Sequence, residues 1–242
     1  MRVLLTRSLA ESEQLAALLR SRGHHVVLSP MMDIRFLEGA PLTLGGIQAI
    51  VVTSANGIDA LARRTPVRDT PVFAVGPQTS DAARAAGFAN VEQGGGDSTA
   101  LTEAVRGSAH PNRGALLLAA GRERRGEVES GLAAAGFTVR VEELYAAVEI
   151  PHLSVAGAKA LSEGAIDAVM LFSPRSARLF VQQVLAAKLG PRCERVIALC
   201  ISEATAAELG GLNFAARHVS HRPDRQGMLQ LLDNAAVHLP TR

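Results

Sequence analysis

The chain has no tryptophan, one tyrosine and seven phenylalanines among 242 residues, so it lacks the aromatic platform on which single-stranded nucleic acids are usually stacked. Charge of one sign is also missing: 25 lysines and arginines stand against 23 aspartates and glutamates, for a formal charge of +2. That balance excludes a protein that binds nucleic acid by releasing its counterions. Cysteine is scarce. Cys193 and Cys200 have neither zinc-finger nor disulfide-framework spacing and read as buried free thiols. No apolar run approaches a membrane span, and "MRVLLTRS" offers three consecutive apolar residues after Arg2, far short of an export signal. The expectation is a cytoplasmic monomer with no membrane partner. Phosphate-binding loops, Gly-x-Ser-x-Gly elbows, His-Glu-x-x-His helices and kinase signatures are absent. His218 and His221 lack a third ligand, so no metal is expected. An enzyme built this way is expected to use no metal, no nucleotide and no covalent nucleophile; it holds a reactive substrate in a chosen shape.

What is present is an aliphatic chain, 48% hydrophobic, whose core must be built from Leu, Val, Ile and Ala. That composition suits helices laid on a parallel sheet. Short apolar runs alternate with amphipathic stretches of helical length: "VLL" with "SEQLAALLRSRG", "AIVV" with "GIDALARR", "VFAV" with "TSDAARAAG", and a Gly-rich turn with "STALTEAV". From residue 115 the series restarts with "ALLL", "AVMLF" and "VIALC", each followed by a helical pattern, and ends in "DRQGMLQLLDNAA". Gly23 aligns with Gly136, Ser54 with Ser173 and Gly76 with Cys200, at an offset that grows stepwise as loop insertions would make it. The chain reads as a duplicated βα series, each half the size of a small doubly wound domain. The Pro-containing segments 36–46 and 146–155 fall at equivalent places and are candidate crossings between lobes. The expected domains are 1–35 with 146–242, and 36–145.

In a parallel βα sheet the strand C-termini and helix N-termini share one edge, where ligands bind. Here that edge carries Thr6 and Arg7, Thr53 and Ser54, Gly76 to Thr79, Gly94 to Ser98, Gly121 to Arg125, Ser173 to Arg175, Ser202, and His221 to Arg225. Two such edges facing each other would form a cleft of hydroxyls, free amides and arginines, suited to a ligand with many peripheral negative groups. Ser54, Ser173 and Ser202 also read as ordinary helix N-caps, because a cap and an anion contact use the same geometry. "QGGGDSTAL" reads as a flexible turn before a capped helix. Arg124 and Arg125 read either as a charged helix face or as residues reaching the cleft. Tyr145 reads either as packing with a satisfied hydroxyl or as a proton donor at the cleft mouth.

The ordered set "VLLTR", "GHHVVLSPMMDI", "IVVTSANGIDAL", "VFAVGPQTSDAARAAGF", "GRERRGEVESGLAAAGFTVRVEELYAA", "MLFSPRSARLF" and "SEATAAEL" resembles the uroporphyrinogen-III synthase family over nearly the whole chain. The resemblance implies an α/β fold of two flavodoxin-like parallel-sheet lobes, one discontinuous, joined by a two-stranded β ladder, with the active site in the cleft between them. It implies cofactor-free conversion of hydroxymethylbilane, a linear tetrapyrrole with eight carboxylates, into uroporphyrinogen III, with loss of water and inversion of the last ring. By position, Tyr145 matches the family tyrosine that assists departure of the hydroxyl. Ser54, Thr79, Ser173 and Ser202 match hydroxyl positions that bind the acetate and propionate arms with neighbouring amides. Arg7, Thr53, Gly76, Gly121, Arg124 and Arg175 complete the expected substrate-binding set. The chain departs from the family at Asn56, where Arg is frequent, and at Cys200 and Ile201, where Gly and Pro are common. Two other readings stand beside this one: a non-catalytic two-lobed sensing or binding module, and a nucleotide-using transferase that lacks its phosphate loop.

Overall fold

The computed structural model of the chain describes residues 1–124 and 126–237. Arg125, one of the candidate cleft residues, lies outside them. The chain divides into two compact units, residues 1–33 with 148–242, and residues 34–147. In the first, β1 (Arg2–Leu5), β2 (His25–Leu28), β9 (Ala168–Leu171), β10 (Ile197–Cys200) and β11 (Ala216–Val219) form a parallel sheet in the order β11-β10-β9-β1-β2. In the second, β4 (Ile47–Val52), β5 (Val72–Ala74), β6 (Val91–Gln93), β7 (Ala115–Gly121) and β8 (Val139–Glu149) are parallel, with β3 (Met32–Phe36) on the edge, in the order β3-β8-β7-β4-β5-β6. Leu37 N–H donates to the Leu144 carbonyl at 2.8 Å and Ile150 N–H to the Met31 carbonyl at 3.0 Å, so β3 and β8 run antiparallel. Both unit boundaries fall within these two strands.

The sheet orders carry the mark of the repeat. Counted β1, β2, β9, β10, β11, the first sheet has the flavodoxin-like order 2-1-3-4-5; counted β7, β8, β4, β5, β6, so does the second. Each sheet therefore takes its opening βα pair from one half of the sequence and its last three strands from the other. The local geometry repeats as well: Gly23 follows α1 (Leu9–Ser21) at φ 82° and Gly136 follows α5 (Glu127–Ala134) at φ 88°, left-handed positions that close a helix and that glycine takes without strain. One expected pairing is corrected. The counterpart of Gly76 is Ser202, not Cys200, because Gly76 caps α3 (Pro77–Ala85) and Ser202 caps α8 (Glu203–Ala207), both with extended backbone, whereas Cys200 still belongs to β10.

Strand side chains alternate between two cores, as the pleat demands. In the first unit Leu4, Val169 and Leu171 pack toward Phe180 and Val184 of α7 (Pro174–Ala186). Val3, Leu5 and Met170 face α1 and α9 (Arg225–Val237). In the second, Ile50, Val52 and Leu117 face α2 (Ala55–Arg64) and α3, while Val51, Leu116 and Leu118 face α4 (Ser98–Ser108) and α5. With apolar residues on both faces the strands are anchored, and their C-terminal ends hold the polar turns at fixed positions. Among the described residues no helix is long and apolar enough to cross a membrane.

Candidate functional site

In the 34–147 unit, a cavity of about 440 Å³ opens at the C-terminal ends of the strands. Thr53, Gly121, Arg124 and Tyr145 line it, together with Asp97, Ser98 and the acidic residues Glu123, Glu127 and Glu129. Tyr145 reaches this place through a bulge: Ala120 pairs with Glu143, but Gly121 pairs with Tyr145, so β8 gains one residue at the end of β7. Bulges of this kind re-aim a side chain at the end of a sheet. The half-buried Tyr145 ring lies over Gly121, whose missing side chain makes the room: a Cβ there would stand 2.8 Å from Cε2 and Cζ of the ring. Its hydroxyl lies 2.7 Å from Ser54 Oγ.

The three serines read as caps do cap. Ser54 Oγ accepts from Gly57 N–H at 3.2 Å, Ser173 Oγ from Ser176 N–H at 3.1 Å and Ser202 Oγ from Thr205 N–H at 3.3 Å. Gly76 and Thr79 begin α3 in the same unit as Tyr145 but outside the lining of this cavity. Arg7, Ser173, Arg175 and Ser202 belong to the other unit. The three arginines in the expected set all carry carboxylate partners. Arg7 pairs with Glu11 and lies over the Phe172 ring, 4.8 Å from its centroid. Burial pushes the Glu11 carboxyl up, but the Arg7 hydrogen bond and charge outweigh it and hold Glu11 below its usual range. Arg175 pairs with Glu149 at 3.2 Å. Arg124 bonds Glu143 at 2.8 Å, which lowers the Glu143 pKa, and stands 3.6 Å from Glu129. A substrate carboxylate would have to exchange with these partners.

Sequence reasoning placed Asp97 and Glu123 on the binding edge without singling them out and missed Glu127 and Glu129. Asp97 caps α4 through Ala100 N–H at 2.8 Å, Glu123 accepts from Ala147 N–H at 3.0 Å, and Glu127 accepts from Ser98 Oγ at 2.9 Å. Glu127 and Glu129 in the first turn of α5 and Asp97 at the cap of α4 are ordinary macrodipole partners, so only the fold shows that they share one cavity with Glu123. Among the described residues, Arg124 is the one cation lining it. His218 and His221 are exposed, and among the described residues no group of three or more His, Cys, Asp or Glu side chains is placed to hold a metal ion.

Residues 13–230 match the family model described as Uroporphyrinogen-III synthase HemD, which spans most of the chain. The chain belongs to the uroporphyrinogen-III synthase family. Solved structures agree in fold. A uroporphyrinogen-III synthetase from Helicobacter pylori is 16% identical, with a TM-score of 0.66, covering 97% of this chain and 99% of its own. A mutant uroporphyrinogen III synthase from Thermus thermophilus is 20% identical, with a TM-score of 0.52, covering 99% of this chain and 100% of its own. No curated protein matches. Membership of the uroporphyrinogen-III synthase family places the chain among the enzymes of tetrapyrrole biosynthesis.

Proposed function

We propose that this enzyme cyclises hydroxymethylbilane to uroporphyrinogen III, releasing one water and inverting the last ring, a lyase reaction without a cofactor on the route to haem and related tetrapyrroles. The observation that carries the reading is the family match over residues 13–230. The cavity that holds Tyr145 supports it chemically. Tyr145 Oη gives its proton to the departing hydroxyl; the C–O bond breaks, the pyrrole nitrogen lone pair forms the new double bond, and water leaves. The cationic methylene-pyrrolenine is then attacked by the substituted carbon of the far ring. The resulting spiro intermediate fragments and recloses, and the ring proton finally lost restores the phenol. No electrons are gained or lost overall.

The acidic lining fits this sequence of charges. Asp97, Glu123, Glu127 and Glu129 repel carboxylate arms but favour pyrrole N–H donors and the cation formed when hydroxide departs. The arms are better met by amides at a helix start, such as the one Gly76 caps in the same unit. Catalysis is then largely orientation, bringing the substituted carbon to the cation first. The test is incubation of purified protein with hydroxymethylbilane, followed by chromatographic separation of the isomers. Type III product above the spontaneous background is expected; type I alone, at the uncatalysed rate, would overturn the proposal.

A further inference from the structure

Among the capping serines Ser54, Ser154, Ser173 and Ser202, Ser54 differs in that its hydroxyl meets a side chain outside its own helix. Ser173 Oγ donates to Ser176 Oγ at 3.0 Å and Ser202 Oγ lies 3.0 Å from Thr205 Oγ1, each turned back into the first turn of its own helix. Ser154 Oγ donates to the Leu28 carbonyl at 2.7 Å. Ser54 Oγ instead faces Tyr145 Oη, 91 residues away in sequence, at 2.7 Å. It also accepts from Gly57 N–H, at the positive end of α2. A hydroxyl oxygen that accepts an amide proton still has its own proton to give. If Ser54 gives it to Tyr145 Oη, the phenol proton is left for the cavity.

We propose that Ser54 is a positioning residue for Tyr145, relaying Gly57 N–H to Ser54 O–H to Tyr145 Oη, so that the oxygen is stabilised as its proton passes to the departing hydroxyl. This rests on the function proposed above. As the phenol proton moves to the leaving oxygen, negative charge develops on Oη. The Ser54 donor, already polarised by the helix start, is in place to meet it without rearrangement. Two glycines hold the geometry. A Cβ on Gly57 would stand 2.8 Å from Val52 Cγ1 and 3.0 Å from the Ala119 carbonyl, so its absence lets α2 begin hard against β4 and β7. The bare Gly121, at the end of β7, leaves room for the ring of Tyr145 on the neighbouring β8.

The test is a double-mutant cycle on the full chain, with hydroxymethylbilane as substrate. Ser54→Gly removes the hydroxyl but keeps a residue that N-caps well. It is expected to lower kcat about tenfold with KM within about twofold, the size of one charge-assisted hydrogen bond lost in the transition state alone. Ser54→Thr restores most of the rate. In a Tyr145→Phe background, Ser54→Gly costs less than about twofold more, since the group it serves is gone. Ser154→Ala, which removes a cap in the other unit, leaves kcat unchanged. Independent, multiplying effects of Ser54→Gly and Tyr145→Phe would overturn the relay, as would a raised KM at unchanged kcat, the mark of a serine that merely holds a substrate arm. A parent enzyme that yields only type I isomer removes the functional reading and the relay together. A parent that yields type III with multiplying effects removes the relay alone.

Discussion

One added methyl group at Gly121 would collide with the Tyr145 ring, 2.8 Å from Cε2 and Cζ. Gly121→Ala is therefore expected to cost about 1–3 kcal/mol by overpacking and to lower turnover as Tyr145→Phe does, because the ring must swing away from Ser54. Denaturant unfolding and the isomer assay check the two parts. Tyr145→Phe itself should slow turnover by about a hundredfold or more with melting little changed, the range of general acid catalysis; unchanged kinetics would leave Tyr145 as packing alone. The cysteines make a separate point. Burial pushes both the Cys193 and Cys200 thiols up to about 11. Neither should react with a thiol reagent at neutral pH until the protein is unfolded, when both should. Tyr145 drew notice in the sequence because it is the one tyrosine and stands near a predicted crossing; the structure puts it in the lining of the cavity. The pairing of Arg7, Arg124 and Arg175 was not: an arginine at a strand end reads the same whether its carboxylate comes from a ligand or from a neighbouring element.

At the scale of elements, the strands that stood out in the sequence are those buried on both faces, such as "AVML" of β9, with no polar position to break the run. β6 and β11 escaped because these short edge strands expose polar residues in succession, Glu92 with Gln93 and Arg217 with His218, and so show no apolar run. α6 (Val155–Ser162) escaped because it is short, begins with an exposed Val155 and buries little beyond Gly157 and Leu161. The start of β1 is fixed by charge. Asp167, in the turn before β9, accepts the Arg2 amide at 2.7 Å and the Arg2 side chain at 2.5 Å. Burial pushes the Asp167 carboxyl up, but these bonds and the Arg2 charge hold it below its usual range. A carboxyl lowered on folding adds stability that is complete above its unfolded value, about pH 4, and drains away as pH falls through the lower folded value. Asp167→Asn should thus cost about 1–2 kcal/mol at pH 7 and progressively less below about pH 4, measured by denaturant unfolding across pH.

At the scale of the whole molecule, the order of strands makes the two units unequal in self-sufficiency. The 34–147 segment contains β4 to β7, all but the last two residues of β8 and their four α-helices, so its parallel strands lie within one continuous stretch. The 148–242 segment lacks β1 and β2, and β1 is the neighbour on which β9 is registered, Val3 to Ala168 through Leu5 to Met170. Expressed alone, 34–147 should fold cooperatively, whereas 148–242 should do so only when residues 1–33 are supplied, with circular dichroism and hydrogen exchange as the readouts. The βα series was legible because its periodicity survives in each half, and the matching sheet orders are consistent with a duplication. Which strands pair across the halves was set by the two crossings, whose β3 and β8 carry little sequence pattern of their own. The pairing of β1 with β9 also has a temporal consequence. On a ribosome adding about 5–20 residues per second, the first strand leaves the exit tunnel many seconds before its partner exists, and the inserted unit has time to fold in the interval. The nascent leading segment can pair β1 with β2 but must wait, with the β9 side of β1 open, until the tail of the chain arrives, so chaperone demand during translation should centre on residues 1–33.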